Sequence, residues 1–295
     1  MELMTHSSTF LLPSPPADDG PALKYALVIL NRPLPRFTPL LWKHDGGANR
    51  LYDELPQLFP EEEALAIRKR YKPDLIKGDM DSIREEVLQF YKNAGTEVVD
   101  ASQDQDTTDL HKCVAYVQDL PKLKNQNLCI LAAGALGGRF DHEVGNINVL
   151  CRFPSMRIIL LSDNCLIQLL PCSHRHEMRV LSDYEGPHCG LVPIGEPSKS
   201  TTTTGLQWNL SEYSIVFVNR MNYRAFPPKS LLYVRGRAFV SYSLFNLDLD
   251  PSVVISANAE MRFGGLISTS NIVKGEIVTV QSDTDLLWTI SIKKA

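Results

Sequence analysis

The sequence predicts an α/β catalytic domain built on a parallel, Rossmann-like sheet, followed by an all-β sandwich domain. Short, nearly continuous apolar runs alternate with helical patterns up to about residue 163. Beyond that point no helical pattern recurs, and short β-rich runs separated by turn residues continue to the end. The 295 residues, 44% apolar and 22% charged, suffice for a substantial core. A net charge of −4 supplies no broad basic field, which argues against a nucleic-acid partner. No apolar run approaches the ~18 residues of a membrane span, so no membrane partner is expected.

Residues 1–21 carry prolines, serines and only the short run Phe10-Leu11-Leu12, the pattern of a flexible leader rather than of a signal or transit peptide. Six cysteines without a CxxC pair point to buried thiols in a reducing compartment, the cytosol. Strands are predicted at Tyr25–Leu30, Asp74–Lys77, Thr96–Val99, Leu128–Ala133 and Arg157–Leu161, and helices over Ile83–Asn93 and Thr108–Leu120. The catalytic domain is placed at 22–163 and the β domain at 164–295, with the boundary near Ser162–Asn164. An aromatic and basic stretch at about 212–257 reads as an insertion into the β domain.

Ligands of such a sheet bind outside the carboxyl ends of its strands. There the sequence places Gly78-Asp79-Met80-Asp81-Ser82, where two aspartates two apart can share a hard cation. Capping of the next helix, by Ser82 or by both aspartates, is the competing explanation. The following loop, Asp104-Gln105-Asp106-Thr107-Thr108-Asp109, leads into a helix that Asp106 or Thr107 can cap, with Asp109 in its first turn. Three acids in six residues repel one another unless a cation offsets them. Gly134 to Gly138 can bring backbone amides to phosphate, and Arg139 can fork onto its oxygens. His174 and His176 share one strand face without a third ligand at workable spacing, so structural surface histidines are expected.

In this order, DGGANR (45–50), GDMDS (78–82), DQDTTD (104–109) and GGRFDH (137–142), followed by TTTTGLQWNL (201–210) and STSN (268–271), closely resemble the thiamine pyrophosphokinase family. LWTISIKK near the end is similar to its plant members. The resemblance implies magnesium-dependent transfer of pyrophosphate from ATP to the thiamine hydroxyl, giving thiamine diphosphate and AMP. It also implies a homodimer with thiamine held between the catalytic domain of one subunit and the sandwich of the other. By match, Asp79, Asp81 and Asp109 would hold magnesium, and Gln105, Asp106 and Thr108 would line the substrate and phosphates. Arg139 and Asp141 would position ATP, with Asp45, Gly46, Asn49, Gly137 and Gly138 also at the nucleotide. Trp208 and Ser268, Thr269, Ser270 and Asn271 would meet thiamine, a core role for Trp208 being the alternative.

The sequence departs from the family pattern twice. Trp42-Lys43-His44 run straight into Asp45, where the family has a strand, and loss of that strand should open the sheet beside it. The 212–257 segment interrupts the sandwich between neighbouring family motifs. Alternative readings are therefore a catalytically impaired splice-type variant serving as a binding or dimer partner and, more distantly, a nucleotide-sugar transferase using Asp79-Met80-Asp81 as its metal pair.

Overall fold

The computed structural model describes residues 1–12, 23–41, 48–121, 123, 126–210 and 260–293. Asp45, Gly46 and the expected insertion at 212–257 lie outside these residues. The apolar runs form strands because buried backbone must pair and the β-branched side chains fit a pleated surface. Strands β2 (Lys24–Ile29), β5 (Leu128–Ala133) and β6 (Arg157–Leu161) lie side by side in parallel. At 162–164 the chain reverses, and β7 (Cys165–Leu170) pairs antiparallel with β6. The same sheet continues through β13 (Leu286–Ile292), β9 (Glu185–Pro193) and β11 (Ser268–Ile272). The residues expected to divide two domains thus change strand direction within one seven-stranded sheet.

A four-stranded sheet, ordered β1 (Glu2–Ser7), β8 (His174–Arg179), β12 (Ile277–Ser282), β10 (Thr201–Thr204), shares a core with the larger one. Met178, Val278 and Val280 from the smaller sheet join Leu191, Trp288 and Ile290 from the larger in that core. Two expectations are corrected here. Residues 2–7 do not belong to a flexible leader but form an edge strand parallel to β8. His176 is not a surface residue: it is buried, and its Nδ1 lies 3.0 Å from His6 Nε2 while its Nε2 reaches the Pro171 carbonyl at 2.9 Å. The Gln168 carboxamide oxygen and the Pro171 carbonyl accept from the two rings, replacing water that burial removes.

Strands β3 (Leu75–Gly78) and β4 (Glu97–Asp100) form a separate parallel pair, and β2 is the terminal strand of the large sheet. A cavity of about 520 Å³ lies between them, walled by successive residues of β2 and β3 and by Cys113, Tyr116 and Val117. Trp42 to His44, where the family strand was expected to be missing, lie outside the described residues. Helix α4 (Glu85–Asn93) buries Val87 and Tyr91, one turn apart, and α5 (Asp109–Asp119) buries Leu110 and Val114 in the same way. With α2 (Ala48–Glu54) and α6 (Phe140–Arg152), they carry the loops at the carboxyl ends of the parallel strands. No described helix is long and apolar enough to cross a membrane.

Candidate active site

Strand β3 ends at Gly78, and the chain turns through Met80 at φ 60°, a left-handed conformation that a non-glycine residue adopts only at a cost of ~1–2 kcal/mol. The turn leaves Asp79 half-buried and Asp81 exposed. Neither caps a helix, and neither does Ser82: α4 starts at Glu85, and its N-cap is Arg84 with no side-chain cap bond. The capping explanation for this acidic loop therefore falls. Asn49 holds the loop instead, with Nδ2 donating to the Ser82 carbonyl at 2.7 Å and Oδ1 accepting from the Arg84 N–H at 3.3 Å.

The second loop is folded on itself. Asp104 accepts from the Asp106 N–H at 3.1 Å and from the Thr107 hydroxyl, and these bonds lower its pKa. Gln105 donates to the Ser102 carbonyl at 2.8 Å. The N-cap of α5 is Thr108, which accepts from the His111 N–H at 3.3 Å, rather than Asp106 or Thr107. One residue later, Asp109 reaches the end of β3, so close that a Cβ on Gly78 would lie 3.3 Å from its Oδ1. Burial raises the Asp109 pKa, and the charges of Asp79 and Asp81 raise it further, against the pull of Lys112 and His142. The structure therefore brings Asp79, Asp81 and Asp109 into one electrostatic neighbourhood.

Lys112 is a participant the sequence reading missed. Its side chain is buried, and its Nζ is ion-paired with Asp79 Oδ1. Aspartate to lysine at i, i+3 on one helix face, from Asp109 to Lys112, was the available signal. The ammonium answers only part of the acidic charge. Among the described residues no three acidic, histidine or cysteine side chains converge as a ready-made metal cluster.

Across the site, the turn before α6 differs from expectation in one respect. The Gly137 and Gly138 amides donate to Glu143 Oε1 at 3.0 and 2.7 Å, so a carboxylate of the helix itself holds the position foreseen for phosphate. Arg139 is exposed and forks onto Asp141, Nε to Oδ1 at 3.1 Å and Nη2 to Oδ2 at 2.5 Å. On the β-rich half, Trp208 is 56% exposed, which removes the core role. Asn271 is buried and clamps the Trp208 backbone, accepting from its N–H at 3.2 Å and donating to its carbonyl at 2.8 Å. Ser268 sits within 3.3 Å of that carboxamide, and Ser270 adopts φ 57° between them. Thr269 is exposed on the same strand.

The chain matches the family model "Thiamin pyrophosphokinase, catalytic domain" over residues 36–160. It matches "Thiamin pyrophosphokinase, vitamin B1 binding domain" over 175–221 and 256–287, the interval falling inside the expected insertion. It is 56% identical to thiamine pyrophosphokinase 1 of Arabidopsis thaliana, covering 100% of this chain and 95% of that protein. Identity to thiamine pyrophosphokinase 3 of Oryza sativa subsp. japonica is 51%, covering 98% and 97%. The fold is similar to that of thiamin pyrophosphokinase from Candida albicans, with a TM-score of 0.68 at 20% identity over 99% of this chain and 93% of the other. These matches favour neither the sugar-nucleotide alternative nor an impaired variant, and the chain belongs to the thiamine pyrophosphokinase family.

Proposed function

We propose that this chain transfers the pyrophosphoryl group of ATP to the hydroxyl of thiamine, as the names of its relatives describe for them. The observation that carries the reading is that Asp79 and Asp81 lie near enough to act on the charge of Asp109, with the buried Lys112 ammonium paired to Asp79. Short carboxylates in excess of cations suit a hard divalent ion, and magnesium keeps waters that phosphate oxygens can replace. The donor set fits, and these three aspartates would hold it. When bound, it supplies charge neutralisation for the polyphosphate.

The thiamine hydroxyl oxygen forms a bond to the β-phosphorus. The bond from that phosphorus to the α,β-bridging oxygen breaks, and AMP leaves with the oxygen. A carboxylate of the cluster takes the hydroxyl proton. Lys112 keeps Asp79 in place. Asn49 fixes the Asp81 loop, and Arg139 with Asp141, Gln105, Asp106 and Thr108 surround the phosphates, while the Gly137 and Gly138 amides are held by Glu143. By family match Asp45 and Gly46 would also contact the nucleotide. The exposed indole of Trp208, set by Asn271 beside Ser268, Thr269 and Ser270, offers a face to the cationic thiazolium. A homodimer brings that face to the partner subunit's acidic site, and free thiols at Cys129 and Cys189 suit the cytosol.

Purified protein incubated with ATP, magnesium and thiamine should yield AMP and thiamine diphosphate in equal amounts. Asp81→Ala should lose most of that activity. Wild-type turnover no greater than that of the variant would overturn the reading.

A further inference from the structure

A triphosphate brings about four negative charges to a site that is already acidic, and the cations around it are largely committed. Lys112 is paired with Asp79, Arg139 with Asp141, and Arg84 with Asp53. Arg32 differs. It follows β2 at the carboxyl ends of the strands and forms no ion pair among the described residues; its Nη2 lies 3.4 Å from His142 Nδ1. The backbone holds it there, with the Arg32 N–H donating to the Leu30 carbonyl at 2.8 Å.

Its guanidinium lies against the glycine turn. A Cβ on Gly138 would stand 2.7 Å from Arg32 Cζ, 2.9 Å from Nε and 3.0 Å from Nη1, so any larger residue there would displace the group. The Gly138 amide is already taken by Glu143, so the absent side chain serves Arg32 rather than amide access. His142, which Arg32 contacts, lies within electrostatic range of Asp109 and so places the arginine beside the cluster.

We infer that Arg32 is a phosphate-positioning residue, its guanidinium, free of ion pairs among the described residues, holding the polyphosphate of the nucleotide at the rim of the Asp79–Asp109 cluster, in a place kept open by Gly138. The inference rests on the pyrophosphate-transfer reading and adds to it a residue outside the family motifs. A planar fork of N–H donors matches phosphate oxygens, and a charge-assisted bond of this kind is worth about tenfold in affinity.

The test is titration calorimetry of magnesium tripolyphosphate and magnesium–ATP on the full chain, with separate KM values for ATP and thiamine. Arg32→Gln should raise the Kd of both anions and the KM of ATP about tenfold. The thiamine KM and the melting temperature should stay within error, and Arg32→Lys should recover part of the loss. Gly138→Ala, which keeps the charge and moves it, should weaken tripolyphosphate binding in the same direction. Wild-type affinity in Arg32→Gln, with turnover intact, would overturn the assignment and leave pyrophosphate transfer standing. A joint rise of both KM values with a lower melting temperature would make Arg32 merely structural. Wild-type protein that bound neither anion would overturn the transfer reading and this inference with it.

Discussion

Asp79→Asn should destabilise the metal-free protein while Asp109→Asn stabilises it, although the two carboxylates are neighbours. The Lys112 side chain is 2% exposed and that of Asp79 27%. Removing the charge at Asp79 strands an ammonium that water barely reaches. Breaking a fully buried pair costs about 3–5 kcal/mol, and partial exposure of Asp79 together with the remaining pull of Asp109 reduces this to about 2–3 kcal/mol. For a chain of this size that is a fall of roughly 3–5 °C in melting temperature. Lys112→Met should cost less, because the carboxylate it abandons can turn toward solvent, and the double variant should lose less than the sum of the singles. Asp109 stands on the other side of the balance. Its charged form is disfavoured by burial and by Asp79 and Asp81, more than Lys112 favours it, so an uncharged amide relieves the folded state. Differential scanning calorimetry in EDTA, then in magnesium, measures all four proteins. An equal upward shift for Asp79→Asn and Asp109→Asn in EDTA would refute the structural role of the Lys112–Asp79 pair.

Two further outcomes follow from other parts of the fold. Burial, helped by the charges of His176 and Arg157, holds His6 neutral with its pKa lowered to about 3, against the hydrogen bond that its Nδ1 donates to Gln168 Oε1. The unfolded chain then binds the extra proton first, so stability is complete above the ordinary histidine pKa of about 6.5 and falls by up to ~1.4 kcal/mol per pH unit below it. His6→Asn should flatten that slope in urea titrations from pH 7.5 to 4.5, and parallel wild-type and variant curves would contradict the assignment. Trp208→Ala, at an exposed position, should raise the thiamine KM at least several-fold with little change in melting temperature. A large loss of stability with an unchanged thiamine KM would return Trp208 to a packing role.

Local pattern was enough for the elements buried on both faces. The runs Leu128–Ala133 and Arg157–Leu161 are strands over the same residues as expected, because continuous apolarity leaves no other way to satisfy their backbone. The nearness of Asp79, Asp81 and Asp109 was legible for a related reason: strands running in parallel deliver their carboxyl ends to the same edge. Cap identity was not, since Thr108 and Arg84 took positions for which several neighbours compete on nearly equal terms.

Contacts between distant segments were decided only by the tertiary structure. The first strand is ordered because it pairs with β8, where His6 meets a histidine 170 residues away, and no periodicity within residues 2–7 announces that. The sheet runs on through 162–164 because β13 returns from the end of the chain to pair with β7. Lys112, Glu143 and Arg32 acquire their roles from the side chains and backbone they face across the site, and the energy of such pairings depends on burial and distance that residue order does not contain. Residue order thus shows which residue types crowd the strand ends. The folded contacts settle which of those charges are already answered among the described residues, because ion pairing depends on distance and burial.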